Sequence, residues 1–316
     1  MSTNPVVIDA DISMTLKTIR DYMRWGASLF TEHKVFLGHG IATPLHESAT
    51  IVLHTLFQPY QLDDCYLDAV LTFTERERVI KQLIRRVAER KPAAYITNEA
   101  LFAGLCFYVD ERVLVPRSPV AELIEQSFEP WVDAEQVTHI LDLCTGSACI
   151  AIACAYAFPQ AQVDAVELSD DAVDVANINI EKHDIAEQVT LYQSDLFKQL
   201  PETKYDLIVS NPPYVAIQEW KELPAEYHNE PEMGFTGGET GLDLVLRILV
   251  GANNYLTEQG ILIVEVGSSA ETLQQLFPEI PFYWLEFERG GDGVFLLTAE
   301  QLKQYHKLFC NYSASP

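Results

Sequence analysis

Four consecutive residues, Asn211-Pro212-Pro213-Tyr214, have types and spacing well suited to chemistry. They follow the apolar run Tyr205–Val209, and ligands of α/β folds bind beyond the carboxyl ends of such strands. Two successive prolines fix the backbone and remove two N–H donors, which leaves carbonyl groups available as acceptors. We expect Asn211, Pro212 and Tyr214 to take part in catalysis, and all four residues to hold the substrate.

This motif suits a planar amide or aryl amine as the nucleophile, because the nitrogen lone pair of such a group is delocalised and reacts poorly. The Asn211 side-chain oxygen and the Pro212 carbonyl can accept its two N–H protons. They would hold the nitrogen in line with an electrophile and favour the positive charge that develops on it. The alternative is a rigid Pro-Pro turn capped by an asparagine.

A second candidate site lies in the stretch 142–148, which joins the strand-like run Val137–Leu143 to the apolar helix Cys149–Tyr156. A turn of small residues lets a ligand approach the backbone at the start of a helix. A dinucleotide loop would have the pattern G-x-G-x-x-G, whereas this turn has only Gly146. It therefore favours a ligand without phosphates.

Acidic residues follow the next two strand-like runs, Val163–Val166 and Val189–Tyr192. Glu167 is placed to accept hydrogen bonds from both ribose hydroxyls, and Asp195 to accept one from an adenine amino group while Leu196 or Phe197 packs on the ring. Each acid alone could be a helix cap or a solvated loop residue. Together they resemble the site of Rossmann-like methyltransferases for S-adenosylmethionine, whose sulfonium cation suits carboxylates. The predicted cofactor residues are Asp142, Cys144, Thr145, Gly146, Ser147, Glu167, Asp195, Leu196 and Asn211.

The elements that must position these residues alternate between strand and helix. Such alternation predicts parallel strands with crossover helices, and the tail around residues 290–293 predicts an antiparallel hairpin. The predicted fold is α/β, a Rossmann-like class I methyltransferase with a mainly parallel sheet ending in an antiparallel hairpin and a small helical N-terminal domain. The predicted strands are Val137–Leu143, Val163–Val166, Val189–Tyr192, Tyr205–Val209 and Ile261–Val264.

The N-terminal part is predicted to be helical, from apolar spacing in Ile19–Phe30, Leu45–Phe57 and Val79–Ala88. We expect a helical substrate-recognition domain over residues 1–100, a β-hairpin linker over 101–117 and the methyltransferase domain over 118–316. Seven cations lie between Arg76 and Lys91. A solvated helix face is the favoured interpretation of this segment, and an RNA contact is the alternative.

The composition constrains the partner. The 21 Lys and Arg against 46 Asp and Glu give a formal net charge of −25, which repels free DNA and attracts a basic protein. No apolar run approaches the length of about 20 residues that a membrane helix needs, and the first residues do not resemble a secretory signal. The six cysteines are scattered without metal-binding spacing. We expect a cytoplasmic protein with no metal and no membrane partner.

Further motifs resemble the HemK-like protein-glutamine methyltransferases over nearly the whole chain. They are Pro92–Thr97, Phe107–Ile124, Glu230-Pro231, Gly237 with Gly241-Leu242-Asp243, Glu265-Val266-Gly267 and the closing hairpin. The resemblance implies methylation of the side-chain amide nitrogen of a glutamine in a protein. It also implies that Phe102 and Arg117 line the substrate site.

The stretch V-D-E-R-V-L-V-P-R-S-P and the C-T-G-S loop resemble the branch of this family that acts on ribosomal protein L-three, free or in a large-subunit precursor, during ribosome assembly. The release-factor branch typically has Pro-Arg-Pro-x-Thr-Glu, and a glycine where Cys144 stands. That activity, adenine N6-methylation of nucleic acid and a non-catalytic assembly factor are the alternatives. The family usually has glycine at Ala148 and often aspartate at Glu167. The added methyl at Ala148 is expected to be tolerated with a negative φ.

Overall fold

The computed structural model describes residues 12–313 and divides the chain into two compact units. The first contains the residues up to Glu99 together with Pro224–Glu230, and the second runs from Ala100 to Leu223 and from Pro231 onward. The boundary at Glu99 lies next to the one expected at residue 100. The return of seven residues to the first unit is not foreseen by the sequence.

The helices of the first unit pack around a core of buried side chains such as Tyr22, Ile51 and Leu83. Thr18 and Thr72 each form a capping box with the acid three residues later, and Pro44 occupies the first turn of its helix. The helices are α1 Ile12–Thr15, α2 Ile19–Glu32, α3 Pro44–Thr55, α4 Phe73–Ala88 and α5 Ala93–Thr97, with short 3-10 turns at Asp64–Tyr66 and Tyr227–Asn229.

The second unit contains a two-stranded hairpin and a seven-stranded sheet. Its strands are β1 Glu99–Phe102, β2 Leu105–Tyr108, β3 His139–Leu143, β4 Gln162–Glu167, β5 Val189–Gln193, β6 Tyr205–Ser210, β7 Leu256–Glu265, β8 Tyr283–Trp284 and β9 Val294–Thr298. Its helices are α6 Val120–Glu125, α7 Cys149–Ala157, α8 Asp170–Lys182, α9 Ile217–Glu222, α10 Asp243–Ala252, α11 Ala270–Leu276 and α12 Ala299–Ser313, with 3-10 turns at Glu232–Gly234 and Gly267–Ser269.

The order of the large sheet is β5-β4-β3-β6-β7-β9-β8. Strands β3 to β7 pair in parallel, whereas β9 pairs antiparallel with both β7 and β8. The central strands are buried on both faces, as parallel strands covered by helices must be. This confirms the predicted Rossmann-like class I methyltransferase fold with its closing hairpin.

The register of the sheet brings several strand ends to one edge. Leu143, the last residue of β3, pairs with Val166 of β4 on one side and with Ser210 of β6 on the other. Glu167 at the end of β4 pairs with Gln193 at the end of β5. The segments that leave these strands therefore start side by side, which is where the sequence predicts the site. No helix within residues 12–313 has the length and apolar character needed to cross a membrane.

Candidate active site

The loop between β3 and α7 has an unusual backbone. Cys144, Gly146 and Ala148 have φ values of 61°, 55° and 64°, so every second residue of the turn is left-handed. The negative φ on which the tolerance of Ala148 depends is therefore absent. A left-handed L-residue costs about 1–2 kcal/mol, and a methyl buried in the core returns about 0.8 kcal/mol of that. The fully buried Ala148 is thus tolerated at a cost that glycine avoids.

Asp142 lies beneath this loop with no exposed surface. Its Oδ2 accepts hydrogen bonds from the Thr145 hydroxyl at 2.5 Å and from the Ala151 N–H at 3.0 Å. Burial raises the pKa of Asp142 to about 7. The carboxyl group at the end of β3 therefore holds the loop through Thr145 and the first turn of α7 through Ala151.

Glu167 contacts the same loop from the end of β4. Its Oε2 accepts from the Gly146 N–H at 2.9 Å, and its Oε1 accepts from the N–H groups of Leu168 and Ser169. A Cβ built on Gly146 would meet no atom within 4 Å. The loop is therefore open at this glycine, next to a carboxylate, and a ligand can approach its backbone there.

Asn179 of α8, which is not predicted from the sequence, holds the same loop through hydrogen bonds. Its Nδ2 donates to the Ser147 carbonyl at 2.9 Å and to the Tyr108 carbonyl at 3.0 Å, while its Oδ1 accepts from the Tyr108 N–H. The side chain is fully buried. The only sequence signal is an asparagine on the apolar face of a helix, between Ala176 and Ile180.

Asp195, after β5, carries ion pairs that the sequence did not reveal. Its carboxylate contacts Lys198 at 2.8 Å and Arg247 at 2.6 Å, and hydrogen bonds from these two cations hold its pKa below the ordinary range. Leu196 is buried, and the Phe197 ring stacks on Tyr255 with a centroid separation of 4.8 Å. An adenine amino group would share Asp195 with Arg247.

The two predicted acceptors after β6 are free. Asn211 is half-buried and Pro212 is buried. Within the part of the chain that the structure describes, no group donates a hydrogen bond to the Asn211 side chain or to the Pro212 carbonyl. Because Leu143 pairs with Ser210, these acceptors begin beside the loop that opens at Gly146.

The segment around Gly237 supports this motif from one side. Val215 donates its N–H to the Phe235 carbonyl at 2.8 Å, and Gly237 donates to the Val215 carbonyl at 3.0 Å. A Cβ on Gly237 would lie 2.5 Å from the Pro213 carbonyl oxygen. A glycine is needed here because two stretches of backbone approach so closely.

Three predicted substrate residues have different surroundings. Tyr214 donates its hydroxyl to Glu265 at 2.8 Å. The Arg117 guanidinium lies over the Phe235 ring, 5.6 Å from its centroid. Phe102 is 4% exposed and belongs to the main core cluster, so it supports the surrounding structure rather than presenting a free face.

Comparisons with known proteins cover both the candidate site and most of the chain. A family profile described as "Methyltransferase small domain" matches residues 126–225, which include the loop at Gly146 and the Asn211–Tyr214 motif. A ribosomal protein uL3 glutamine methyltransferase of Francisella tularensis is 46% identical over 303 residues, covering 96% of each chain. One with the same description from Xanthomonas campestris is 50% identical over 287 residues, covering 91% of this chain and 93% of that one. The chain belongs to the uL3 glutamine methyltransferase family.

Membership in the uL3 glutamine methyltransferase family confirms the predicted resemblance and identifies the chain as a methyltransferase. Among residues 12–313 there is no cluster of His, Cys, Asp and Glu that could hold a metal ion.

Proposed function

We propose that this chain transfers a methyl group from S-adenosylmethionine to the side-chain amide nitrogen of a glutamine in ribosomal protein uL3 (L-three). The relatives' names supply the substrate. The methylation of an amide is supported by two acceptors at the carboxyl end of β6, Asn211 and the Pro212 carbonyl, which receive no hydrogen bond from the described part of the chain.

The residues of the motif act by orientation. A glutamine amide donates one N–H to Asn211 Oδ1 and the other to the Pro212 carbonyl, and this fixes the direction of its lone pair. Both acceptors become stronger partners as positive charge develops on nitrogen, so they bind the transition state better than the ground state. The proton that the methylated nitrogen loses passes to solvent after transfer, and no strong base is needed before it.

The residues present fit the cofactor. The open space at Gly146 admits a ligand against the backbone, and the Asp142 Oδ1 beneath the loop is a buried oxygen without a hydrogen-bond partner. S-adenosylmethionine supplies an electrophilic methyl group when bound. We propose that Thr145, Gly146 and Ser147 hold it through the loop, that Glu167 accepts from the ribose hydroxyls, and that Asp195 and Leu196 hold the adenine. Asp142 and Cys144 shape the turn, and Asn211 would line the same site.

The charge of the chain supports a basic protein substrate. Ribosomal proteins carry positive charge because they bind RNA, and a chain with a formal charge of −25 attracts them. We propose that the helical unit recognises uL3, free or in a large-subunit precursor, in the cytoplasm during ribosome assembly. The same charge opposes free DNA as a partner, and no membrane partner is invoked.

The basic segment Arg76–Lys91 is not proposed as an RNA contact. Several of its cations have partners within the first unit: Arg76 with the Ser13 carbonyl, Arg85 with Glu89, Arg86 with Glu47 and Arg90 with Glu226. Arg78 lies over the Phe57 ring. These contacts support the interpretation of the segment as a structural and solvated helix face.

Purified chain, labelled S-adenosylmethionine and purified uL3 test this proposal directly. We expect one methyl group per uL3, located by mass spectrometry on a glutamine side chain. Release factors and duplex DNA, offered under identical conditions, should accept little label. Label on a release factor with uL3 blank would contradict the substrate and leave the glutamine chemistry intact. Label on DNA alone would contradict both.

A further inference from the structure

The last residue of β7, Glu265, is a glutamate with only 5% of its surface exposed. Its Oε1 accepts a hydrogen bond from the Tyr214 hydroxyl at 2.8 Å, and its Oε2 accepts one from the Ser118 hydroxyl at 2.5 Å. The two donors lie 51 and 147 positions away in sequence. Tyr214 belongs to the acceptor motif, and Ser118 follows Arg117, the other polar residue predicted at the substrate site. One carboxylate therefore joins both parts of that site.

Burial of this carboxyl group carries a desolvation cost in free energy. A buried ionised group loses its hydration and needs compensation, yet the two donors to Glu265 are neutral hydroxyls. Burial raises the pKa of Glu265, and the hydrogen bonds from Ser118 and Tyr214 and the charge of Arg117 oppose that rise, while the charge of Asp292 adds to it. An amide or an apolar side chain would fill the same space without the penalty. A role beyond packing is the physical reason to retain a charge there.

Two further contacts confine the Tyr214 side chain together with the hydrogen bond to Glu265. A Cβ on Gly267 would lie 2.5 Å from the Cε2 atom of the ring, so the glycine backbone packs against its edge. The Ser269 hydroxyl donates to the Tyr214 carbonyl at 2.7 Å. Ser269 therefore holds the Tyr214 backbone, Gly267 confines the edge of its ring, and Glu265 holds its hydroxyl.

We propose that Glu265 is a positioning residue for methyl transfer, which holds the Tyr214 ring and the Arg117-Ser118 segment in the arrangement that admits the acceptor amide to Asn211 and Pro212. This inference rests on the proposed function. Glu265 touches neither substrate nor cofactor in this scheme and acts through Tyr214 and Ser118. Its protonation leaves only one oxygen as a good acceptor, and the protonated oxygen can only donate to the hydroxyl that previously donated to it.

Two substitutions separate positioning from packing. Glu265→Met keeps an unbranched side chain of similar length and removes both acceptors. Glu265→Gln keeps the shape and one acceptor, and its amide group can donate to the hydroxyl on the other side. Glu122→Gln is the matched control, because Glu122 is also buried and its two oxygens accept main-chain N–H bonds from Glu288 and Arg289 at 2.9 Å.

With uL3 as substrate we expect Glu265→Met to lower kcat/KM about 100-fold, mainly through kcat, because a slight misplacement of reacting groups is enough for such a loss. Affinity for S-adenosylmethionine, measured by calorimetry, should stay within about twofold. The melting temperature should change little, because removal of the buried carboxylate offsets the loss of the acceptors for Ser118 and Tyr214. Glu265→Gln should recover activity to within about tenfold of the wild type. Glu122→Gln should match the wild type in kcat/KM, while its melting temperature falls because the amide nitrogen cannot accept a main-chain N–H.

The pH profile gives a readout that packing alone would not move. The wild-type rate should fall as the pH is lowered through the raised pKa of Glu265, and Glu265→Gln should lack this acid limb. The groups facing Glu265 are the hydroxyls of Tyr214 and Ser118 and the charges of Arg117 and Asp292. The limb must persist in Asp292→Asn, which removes the charge of Asp292 and leaves Glu265 in place.

Wild-type turnover in Glu265→Met would overturn the proposal. So would a parallel loss of activity, cofactor binding and thermal stability, because that pattern marks a packing residue. Failure of the proposed function is a separate result, visible before any variant is compared: wild-type protein would leave uL3 unlabelled. The variants are then compared on whichever acceptor the wild type does label.

Discussion

At the scale of single residues, Asn211 offers the most direct test of the acceptor site. Asn211→Ala removes one of two acceptors for the amide and leaves the loop at Gly146 intact. We expect kcat to fall about 100-fold, the usual loss for one preorganised polar group, with cofactor affinity nearly unchanged. Single-turnover kinetics with uL3 and calorimetry with S-adenosylmethionine measure the two quantities. Asn254→Ala, in an exposed turn before β7, is the control, and equal rates in the two variants would exclude the proposed role.

Glu167 tests the cofactor assignment. Glu167→Ala removes a charged acceptor for the ribose hydroxyls and also the partner of the Gly146 N–H. Each charged hydrogen bond lost costs about 1.5–3 kcal/mol, so the affinity for S-adenosylmethionine should fall at least about tenfold in calorimetry. The exposed Glu187→Ala should bind like the wild type. An unaltered affinity in Glu167→Ala would contradict the proposed ribose contact.

Asp142 makes the stability of the enzyme depend on pH. Its pKa is about 7 in the folded protein against an ordinary value of 3.8, so the folded state binds more protons than the unfolded state between these values. Stability must therefore decline as the pH rises through that window. Asp142→Asn mimics the protonated side chain and should lack this decline.

Urea unfolding of the wild type and of Asp142→Asn, at about pH 4.5 and about pH 7.5, isolates the effect from the other carboxylates. We expect the variant to gain on the order of a few kcal/mol relative to the wild type at the higher pH and little at the lower one. A difference that does not depend on pH would show that Asp142 does not titrate in this range.

At the scale of elements, the segment Pro224–Glu230 is held in the first unit by one carboxylate. Glu226 is 2% exposed and accepts from the Phe36 N–H at 3.0 Å and from Arg90 at 3.1 Å, with Arg86 at 3.7 Å. Removing it leaves the fully buried Arg86 without part of its compensation. We expect Glu226→Ala to destabilise the first unit by about 3–5 kcal/mol.

Hydrogen exchange measures this change element by element. Amides of α4 should exchange faster in Glu226→Ala, while those of β3 and β6 in the second unit keep their protection. The exposed Glu222→Ala, four positions earlier, should leave both units as they are. Equal acceleration in both units would show that the segment does not belong to the first unit alone.

The sequence predicts those elements whose information is local. The helices α2, α3 and α4 and the five central strands follow from apolar periodicity and end signals, and the strand ends bring the candidate loops to one edge of the sheet. What it does not show depends on contacts distant in the chain. Arg247 beside Asp195 is one example, and the return of Pro224–Glu230 to the first unit is another. The positive φ of Ala148 is hidden for a different reason: alanine is rarely left-handed.

At the scale of the whole molecule, the charge of −25 should steer a basic substrate. Raising the salt concentration shortens the Debye length below its value of about 10 Å at 0.1 M and weakens long-range attraction. We expect the association rate with uL3, measured by stopped flow, to fall at least about tenfold from low salt to about 0.5 M. An uncharged glutamine-containing peptide is the control, and its capture should barely respond. An association rate with uL3 that does not depend on salt would contradict electrostatic steering of the substrate.

The discontinuity of the first unit has a consequence for biosynthesis. That unit takes its last seven residues from a stretch roughly 125 positions beyond Glu99, which at roughly 5–20 residues per second takes on the order of 6–25 s to translate. During that time Arg86 has Glu47 and the Phe36 carbonyl as partners, but not Glu226. No nascent chain shorter than about 230 residues holds a finished first unit. The last residues of the helical unit therefore leave the ribosome within seconds of the Asn211–Tyr214 motif.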